Sequence, residues 1–112
     1  MAFTDYTGGR FVLNNGSTAT IRIGPFLDED DGKTPLTGLT IANTDVKLSK
    51  NDGAFASKNE SSSATHDAGS PGWYSIALNG TDTNTQGNLL MAIHATGALP
   101  VFRMFEVNTN PV

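Results

Sequence analysis

The sequence predicts an all-β fold, an antiparallel two-sheet β-sandwich, on three observations. Gly, Asn, Asp, Ser and Thr are abundant, and these residues favour turns and half-exposed strands over long helices. Short runs alternate apolar and polar residues, which is the period of two of a half-buried strand. Turn signals separate these runs about every 8 to 15 residues. Together, these observations predict seven or eight short strands. An immunoglobulin-like Greek key is the first expected topology, and a jelly roll is the second.

A first hairpin is predicted around Asn15 and Gly16. Residues 10–13 form a short extended run, and the Asn-Gly pair supplies the positive-φ residues that a type I′ turn needs. The alternating run over residues 17–23 follows at once. The two runs are therefore predicted to pair with each other.

A second hairpin is predicted in the middle of the chain. Residues 45–50 alternate, and the turn residues at 51–53 lead into a short run over residues 54–57. Residues 35–41, before this hairpin, are a candidate edge strand. Residues 59–64, after it, are small and polar, which is typical of a loop or a solvated edge.

The second half of the chain predicts three further strands. Residues 72–78 alternate, so the adjacent Trp73 and Tyr74 point to opposite faces and one of them lies inside. Residues 88–95 are apolar on both faces, which favours a central strand. The last strand is predicted over residues 101–107.

The length of 112 residues indicates one domain, because the chain is too short for two independent cores. We expect an N-terminal arm over residues 1–9, the sandwich over residues 10–107 and a C-terminal tail over residues 108–112. The tail is also compatible with a connection to a further segment.

Composition excludes several function classes. The chain has no cysteine, which removes disulfides, thiolate metal sites and cysteine nucleophiles. The formal charge of −4 and the scattered Lys and Arg residues argue against a nucleic-acid partner. No apolar run is long enough to span a bilayer, and the first residues do not form a signal peptide, so we expect no membrane partner and no export.

The sequence carries only weak signals for a metal site or a catalytic site. Residues 28–31 are four consecutive acidic residues before Gly32, which calcium could bind, but a solvated turn is the favoured interpretation. His66 and His94 have no metal-ligand spacing. No Gly-x-Ser-x-Gly elbow is present. The sequence therefore predicts no catalytic residue, no cofactor, no metal site and no enzymatic activity.

Trp73 and Tyr74 admit two interpretations. An exposed aromatic residue on a sandwich face favours stacking on sugar rings, whereas a buried one is a core anchor. A tyrosine at such a corner can also bond through its hydroxyl to upstream backbone. With Asp82 and Asn84 in the following polar loop, these two aromatic residues are the candidate interaction residues.

Five blocks of strand and turn residues carry a resemblance. They are LTGLT (36–40), VKLSKN (46–51), GWYSIAL (72–78), TDTNT (81–85) and GALPV (97–101). In this order, over about residues 10 to 107, they resemble the small β-sandwich module of tailed-bacteriophage virion structural proteins.

The resemblance implies a non-enzymatic structural protein that binds other virion proteins of the capsid or tail. A capsid decoration protein or head-fibre anchor is the first expectation. The alternatives are a tail or baseplate adaptor and a glycan-binding receptor-recognition module. It also implies a homo-oligomer, with a trimer as one form, in a virion assembled in the host cytoplasm.

Overall fold

The computed structural model describes residues 11–109; the predicted arm over residues 1–9 lies outside the described residues, as do residues 110–112 of the predicted tail. Within the described range, no helix has the length and apolar character required to cross a membrane. A short 3₁₀ helix covers Asn43–Asp45. The strands are β1 (Phe11–Asn14), β2 (Ala19–Ile23), β3 (Val46–Lys50), β4 (Ala56–Ser57), β5 (Thr65–His66), β6 (Tyr74–Leu78), β7 (Gly87–Ile93) and β8 (Val101–Asn108).

The strands form two packed sheets, which confirms the all-β sandwich. One sheet has the order β1-β8-β7-β3-β4 and the other has the order β2-β6-β5. All neighbouring strands are antiparallel except β1 and β8, which are parallel. The prediction of a wholly antiparallel sandwich is therefore wrong for this one pair.

The core lies between the two sheets and is built from alternate residues of the longer strands. In β6 the burial alternates strictly, and in β7 the three core-facing positions are fully buried. This alternation is the one that the sequence predicts. The buried apolar residues are Ile21, Ile23, Phe26, Ile41, Val46, Leu48, Tyr74, Ile76, Leu78, Leu89, Met91, Ile93, Ala95, Ala98, Phe105 and Val107.

The second hairpin is confirmed. β3 and β4 pair antiparallel, with Lys47 opposite Ser57. The two central turn residues, Asn51 and Asp52, have φ values of 51° and 62°. Two left-handed residues in a row define the type I′ turn, which has the twist that a two-strand hairpin needs.

The first hairpin is wrong, and so is its type I′ turn: a turn forms, but only Gly16, with a φ of 77°, has the positive φ that such a turn needs at both Asn15 and Gly16. The Ser17 N–H donates to the Asn14 carbonyl at 3.2 Å, but β1 then pairs with β8 and β2 with β6, in different sheets. The backbone N–H groups of the two central turn residues bond to distant parts of the chain. The Asn15 N–H donates to the carbonyl of Asn108, and the Gly16 N–H donates to the carbonyl of Thr83. The Asn-Gly signal specifies a local turn, and long-range pairing decides which strand each neighbour joins.

The candidate edge strand over residues 35–41 is also wrong. This segment is irregular, and Pro35 forms only an isolated bridge with Leu27. Proline has no N–H to donate, and the Leu36 N–H donates to the carbonyl of Phe26. Residues 59–64 were predicted to form a loop or a solvated edge. They form a loop, which precedes the short β5.

The remaining strand predictions are confirmed. β6 lies between β2 and β5, and β7 lies between β8 and β3 as a central strand. β8 ends at Asn108, one residue later than predicted. These placements decide which side of each strand faces outward.

Candidate functional site

Strands β7 and β8 present apolar side chains on the outward side of the five-stranded sheet. Leu90 lies opposite Met104, and Ala92 lies opposite Phe102. Phe102 is 73% exposed and Met104 is 48% exposed. Contiguous apolar surface of this kind marks an interaction site in soluble proteins. We call this surface the outer face.

Phe55 extends the outer face across β3. It precedes β4 by one residue and, by the alternation of strand side chains, falls on the side of Ser57 and Lys47. Phe55 is 53% exposed. Ser49 lies opposite Leu90, and its hydroxyl donates to the Gly53 carbonyl at 2.7 Å, so its buried polar atom is satisfied.

The outer face carries charge at two opposite corners. Lys47 lies opposite Ala92 at the β3 side, and its Nζ donates to the Ser57 hydroxyl at 2.9 Å. Glu106 lies on β8, opposite Asn88. Within residues 11–109, the charged residues Lys47 and Glu106 therefore lie on either side of the apolar side chains.

Tyr74, a predicted interaction residue, is a core residue instead. It is 1% exposed, and its ring meets the rings of Phe26 and His66 edge to face, at centroid distances of 5.3 and 5.0 Å. Its hydroxyl donates to the Leu36 carbonyl at 2.8 Å and accepts the Leu39 N–H at 3.1 Å. The predicted bond from this hydroxyl to upstream backbone is confirmed.

Trp73 points away from the core, as the alternation predicts, but it is half-buried. It packs across Gly24, where an added Cβ would come within 3.1 Å of the indole ring. Trp73 precedes β6 and Asn84 follows it, and the five residues of this strand span about 17 Å. The predicted interaction residues therefore do not form one surface.

Asp82 is buried and connects two loops. Its side chain is 3% exposed, and its carboxylate accepts the backbone N–H groups of Asn59 at 2.6 Å, Glu60 at 3.2 Å and Asn79 at 3.1 Å. A carboxylate can accept several hydrogen bonds and is strongest as an acceptor when ionised. The arrangement fixes the 59–60 segment to the turn after β6.

A cleft of about 340 Å³ opens beside Asp82, under the β3–β4 hairpin. Asn84, the exposed member of the predicted set, and the carbonyl of Thr81 both accept from Lys50 Nζ at 2.8 Å. Sequence reasoning missed Lys50 because its partners lie more than 30 positions away. The cleft is lined by apolar Leu48, Ala54 and Ala56 and by polar Lys50, Ser57, Asn59, Thr81 and Asp82.

Lys58 and Glu60 form an ion pair next to this cleft. Lys58 is 2% exposed, and its Nζ donates to Glu60 Oε1 at 2.8 Å, to the Glu60 carbonyl at 2.7 Å and to the Ser62 carbonyl at 3.1 Å. All three ammonium donors are thereby used. The hydrogen bond from Lys58, followed by those from the Ser62 hydroxyl and N–H, lowers the pKa of Glu60 to about 2.

The lowered pKa of Glu60 predicts a loss of stability in acid. The folded state favours the ionised form of Glu60. The contribution of this carboxylate to the free energy of unfolding is therefore complete above the ordinary pKa of 4.5, and it disappears as the pH falls towards 2. We expect the free energy of unfolding of the wild type to fall more steeply over this interval than that of Glu60→Gln. Urea unfolding at a series of pH values measures the difference. Identical pH dependence in the two proteins would contradict the assignment.

The acidic run at residues 28–31 forms the predicted turn. Asp28 Oδ1 accepts the N–H of Asp30, and Asp31 accepts from the hydroxyl of Thr34 and from the N–H groups of Lys33 and Thr34. The hydrogen bond from the Thr34 hydroxyl, followed by those from the N–H groups of Lys33 and Thr34, lowers the pKa of Asp31. Within residues 11–109, no group of three or more His, Asp or Glu side chains is placed to hold a metal ion.

Comparisons with protein-family models, with curated proteins and with solved structures found no match to this chain. The outer face and the cleft are the two surfaces whose chemistry suggests a ligand. They lie on opposite sides of the β3–β4 hairpin.

Proposed function

We propose that this protein is a non-enzymatic structural component of a tailed-phage virion, a capsid decoration or head-fibre anchor protein that binds other virion proteins. The observation that carries the protein-binding part is the outer face, with Phe102 and Met104 exposed on β8 and Phe55 exposed just before β4. The virion assignment is supported by the resemblance of residues 10 to 107 to the small sandwich modules of such proteins.

The energetics favour a protein partner for this face. Burying one phenylalanine or methionine side chain that is otherwise exposed gains about 1.5–3 kcal/mol. Aromatic residues and methionine are also the types enriched in the buried centres of protein interfaces. A partner that covers Phe102 and Met104 therefore gains enough apolar burial to contribute measurably to affinity.

We also propose the immunoglobulin-like topology for the sandwich. The second, sixth and fifth strands share one sheet, and the third, seventh and eighth lie together in the other. This is how the B, E and D strands and the C, F and G strands divide in that fold. Under this proposal the outer face belongs to the sheet that carries the C, F and G strands.

The test is co-sedimentation with capsid shells and, separately, with tails of the same phage. We expect the wild type to sediment with one of them and Phe102→Ser to bind at least tenfold more weakly. Leu99→Ser is the matched control, because Leu99 is an exposed apolar residue in the loop before β8. Binding to neither particle part would overturn the virion assignment. Equal binding of wild type and Phe102→Ser would overturn the role of the face.

A second candidate function, recognition of a host glycan, is favoured by the cleft. Its apolar side chains and its Lys50 and Asn59 groups suit a sugar ring with polar substituents. Retention of the wild type on host polysaccharide, together with loss of retention in Asn59→Ala, would favour this alternative over the structural role.

A further inference from the structure

We infer that the cleft under the β3–β4 hairpin binds an extended, acidic peptide segment of a partner protein, which adds as a further strand to the free edge of β4. The inference rests on the proposed function for the kind of partner, another virion protein, but it uses a different surface from the outer face. The backbone groups at the edge of β4, the position of the cleft and the cations beside it support the inference.

The edge of β4 carries backbone groups that β3 does not use. The Lys58 N–H donates to the Val46 carbonyl at 2.9 Å, which makes these residues a hydrogen-bonded pair of the antiparallel ladder. Leu48 and Ala56, two positions along, are therefore the next such pair. Ser57 lies between the two pairs, so its N–H and carbonyl point away from β3. β4 is the last strand of its sheet, and among residues 11–109 no strand pairs with this edge.

This free edge faces the cleft. Asn59 follows Ser57 by two positions on the same edge, and its N–H donates to Asp82 Oδ1 at 2.6 Å. Both Ser57 and Asp82 line the cleft. The Ser57 hydroxyl accepts from Lys47 on the side of the outer face, so the N–H and carbonyl are the polar groups that Ser57 offers to the cleft. An occupant therefore meets the backbone donor and acceptor that a pairing strand uses.

The cleft lies where the smaller sheet does not cover the larger one. Five strands form one sheet and three form the other. Ala56 lies opposite Leu48 and on the same side of the sheet, yet Leu48 is buried and Ala56 is exposed. An added strand places alternate side chains on the side of Ala56, where they fill the volume of about 340 Å³. An extended segment thus satisfies the edge and the cleft together.

Cations on both sides of the edge favour an acidic segment. On the side of the outer face, the Lys47 ammonium lies 2.9 Å from the Ser57 hydroxyl. In the cleft, Lys50 Nζ donates to the Thr81 carbonyl and to Asn84 Oδ1, both at 2.8 Å. These bonds use two of its three donors. A carboxylate side chain that enters the cleft can accept the third, while its methylene groups lie on the apolar lining.

The other charged groups at the cleft are compensated within the chain. Asp82 lines the cleft, but its carboxylate accepts three backbone N–H groups. Lys58 and Glu60, next to the cleft, form an ion pair at 2.8 Å. Lys50 is therefore the charged lining residue that can still pair with a side chain of opposite charge.

A capped heptapeptide, acetyl-Thr-Val-Thr-Glu-Thr-Val-Thr-amide, is the probe. Its alternation directs glutamate and valine to the cleft when threonine pairs with Ser57. Titration into the ¹⁵N-labelled full chain, followed by NMR, measures binding. We expect saturable shifts at Lys50, Ala56 and Ser57, with a dissociation constant of about 0.1–1 mM. The Ser57 amide should also exchange more slowly in the presence of the peptide.

Two modified peptides separate pairing from charge and leave the protein unchanged. N-methylation of the two threonines beside the glutamate removes donors to the β4 edge, and we expect roughly tenfold weaker binding. Glutamine in place of the glutamate keeps the shape and removes the charge, and we expect binding about threefold weaker.

Two variants of Ser57 test the same edge from the side of the protein. Ser57→Pro removes the backbone N–H at an edge position, where proline is tolerated, and should weaken binding of the unmodified peptide roughly tenfold. Ser57→Ala keeps the N–H and loses only the hydroxyl. It is the matched control and should bind within about twofold of the wild type.

The inference is overturned by no binding of the heptapeptide at about 5 mM, by equal binding of the N-methylated peptide, or by shifts that avoid the cleft. Equal binding of the glutamine peptide overturns the acidic character of the segment. Retention on host polysaccharide that Asn59→Ala abolishes, without peptide binding, assigns the cleft to a glycan instead. Failure of the peptide together with binding of capsids or tails that requires Phe102 removes this inference and leaves the proposed function standing.

Discussion

Replacing Asp82 by asparagine is expected to lower the free energy of unfolding by about 2–4 kcal/mol, because this buried side chain loses one of the two carboxylate oxygens that accept backbone N–H groups. The carboxylate uses both oxygens: Oδ1 accepts from Asn59, and Oδ2 accepts from Glu60 and Asn79. An asparagine amide has only one oxygen, so its NH₂ group points hydrogens at a backbone donor on one side. The loss is large relative to the roughly 5–15 kcal/mol that stabilises a domain.

Urea unfolding at neutral pH measures this loss, with Asp30→Asn as the matched control. Asp30 is exposed, so the same chemical change there is expected to alter stability by less than about 0.5 kcal/mol. Equal stabilities for the two variants would mean that Asp82 does not connect the loops. Faster hydrogen exchange at the Asn59 and Asn79 amides in Asp82→Asn is the local signature that we expect.

Replacing Tyr74 by phenylalanine is expected to cost about 1–3 kcal/mol, although the ring and its packing remain. The hydroxyl is the partner of both the Leu36 carbonyl and the Leu39 N–H, and it holds the irregular 36–39 segment against the core. Tyr74→Ala should cost about 3–5 kcal/mol, because it also leaves a cavity beside Phe26.

Chemical unfolding of both Tyr74 variants, with Trp73→Phe as the control, separates the two roles. Trp73 is adjacent in sequence but half-buried on the opposite side of the strand, so its replacement should cost less than Tyr74→Ala. A larger loss for Trp73→Phe would contradict the assignment of Tyr74 as the anchor. Exchange of the Leu39 amide should accelerate in Tyr74→Phe and remain slow in Trp73→Phe.

The sequence predicts those features of this fold that depend on neighbouring residues. Alternation identifies the inward set in β6, and the turn residues at positions 51–53 identify the β3–β4 hairpin. The first hairpin fails because its turn signal is equally local, while the partners of β1 and β2 are strands more than 50 positions away. Local patterns determine the elements, and non-local pairing determines their neighbours.

The same difference between local patterns and non-local packing explains how much of the candidate site the sequence predicts. Alternation places Phe102 and Met104 on one side of β8 and Phe105 and Val107 on the other, but both sides are apolar enough to face a core. Only the packing of the two sheets decides which side is covered. Asp82 resembles an exposed loop residue in the sequence, and its burial depends on backbone donors that lie 22 and 23 positions away.

The parallel pairing of β1 with β8 has a consequence for the order of folding. Phe11 and Phe105, which lie opposite each other, are separated by about ninety positions, so the ribosome releases the partner of β1 long after β1 itself. β1 must remain unpaired until β8 emerges, and closing a loop of this length slows folding. This edge of the sheet is therefore completed only after nearly all of the described chain has been synthesised.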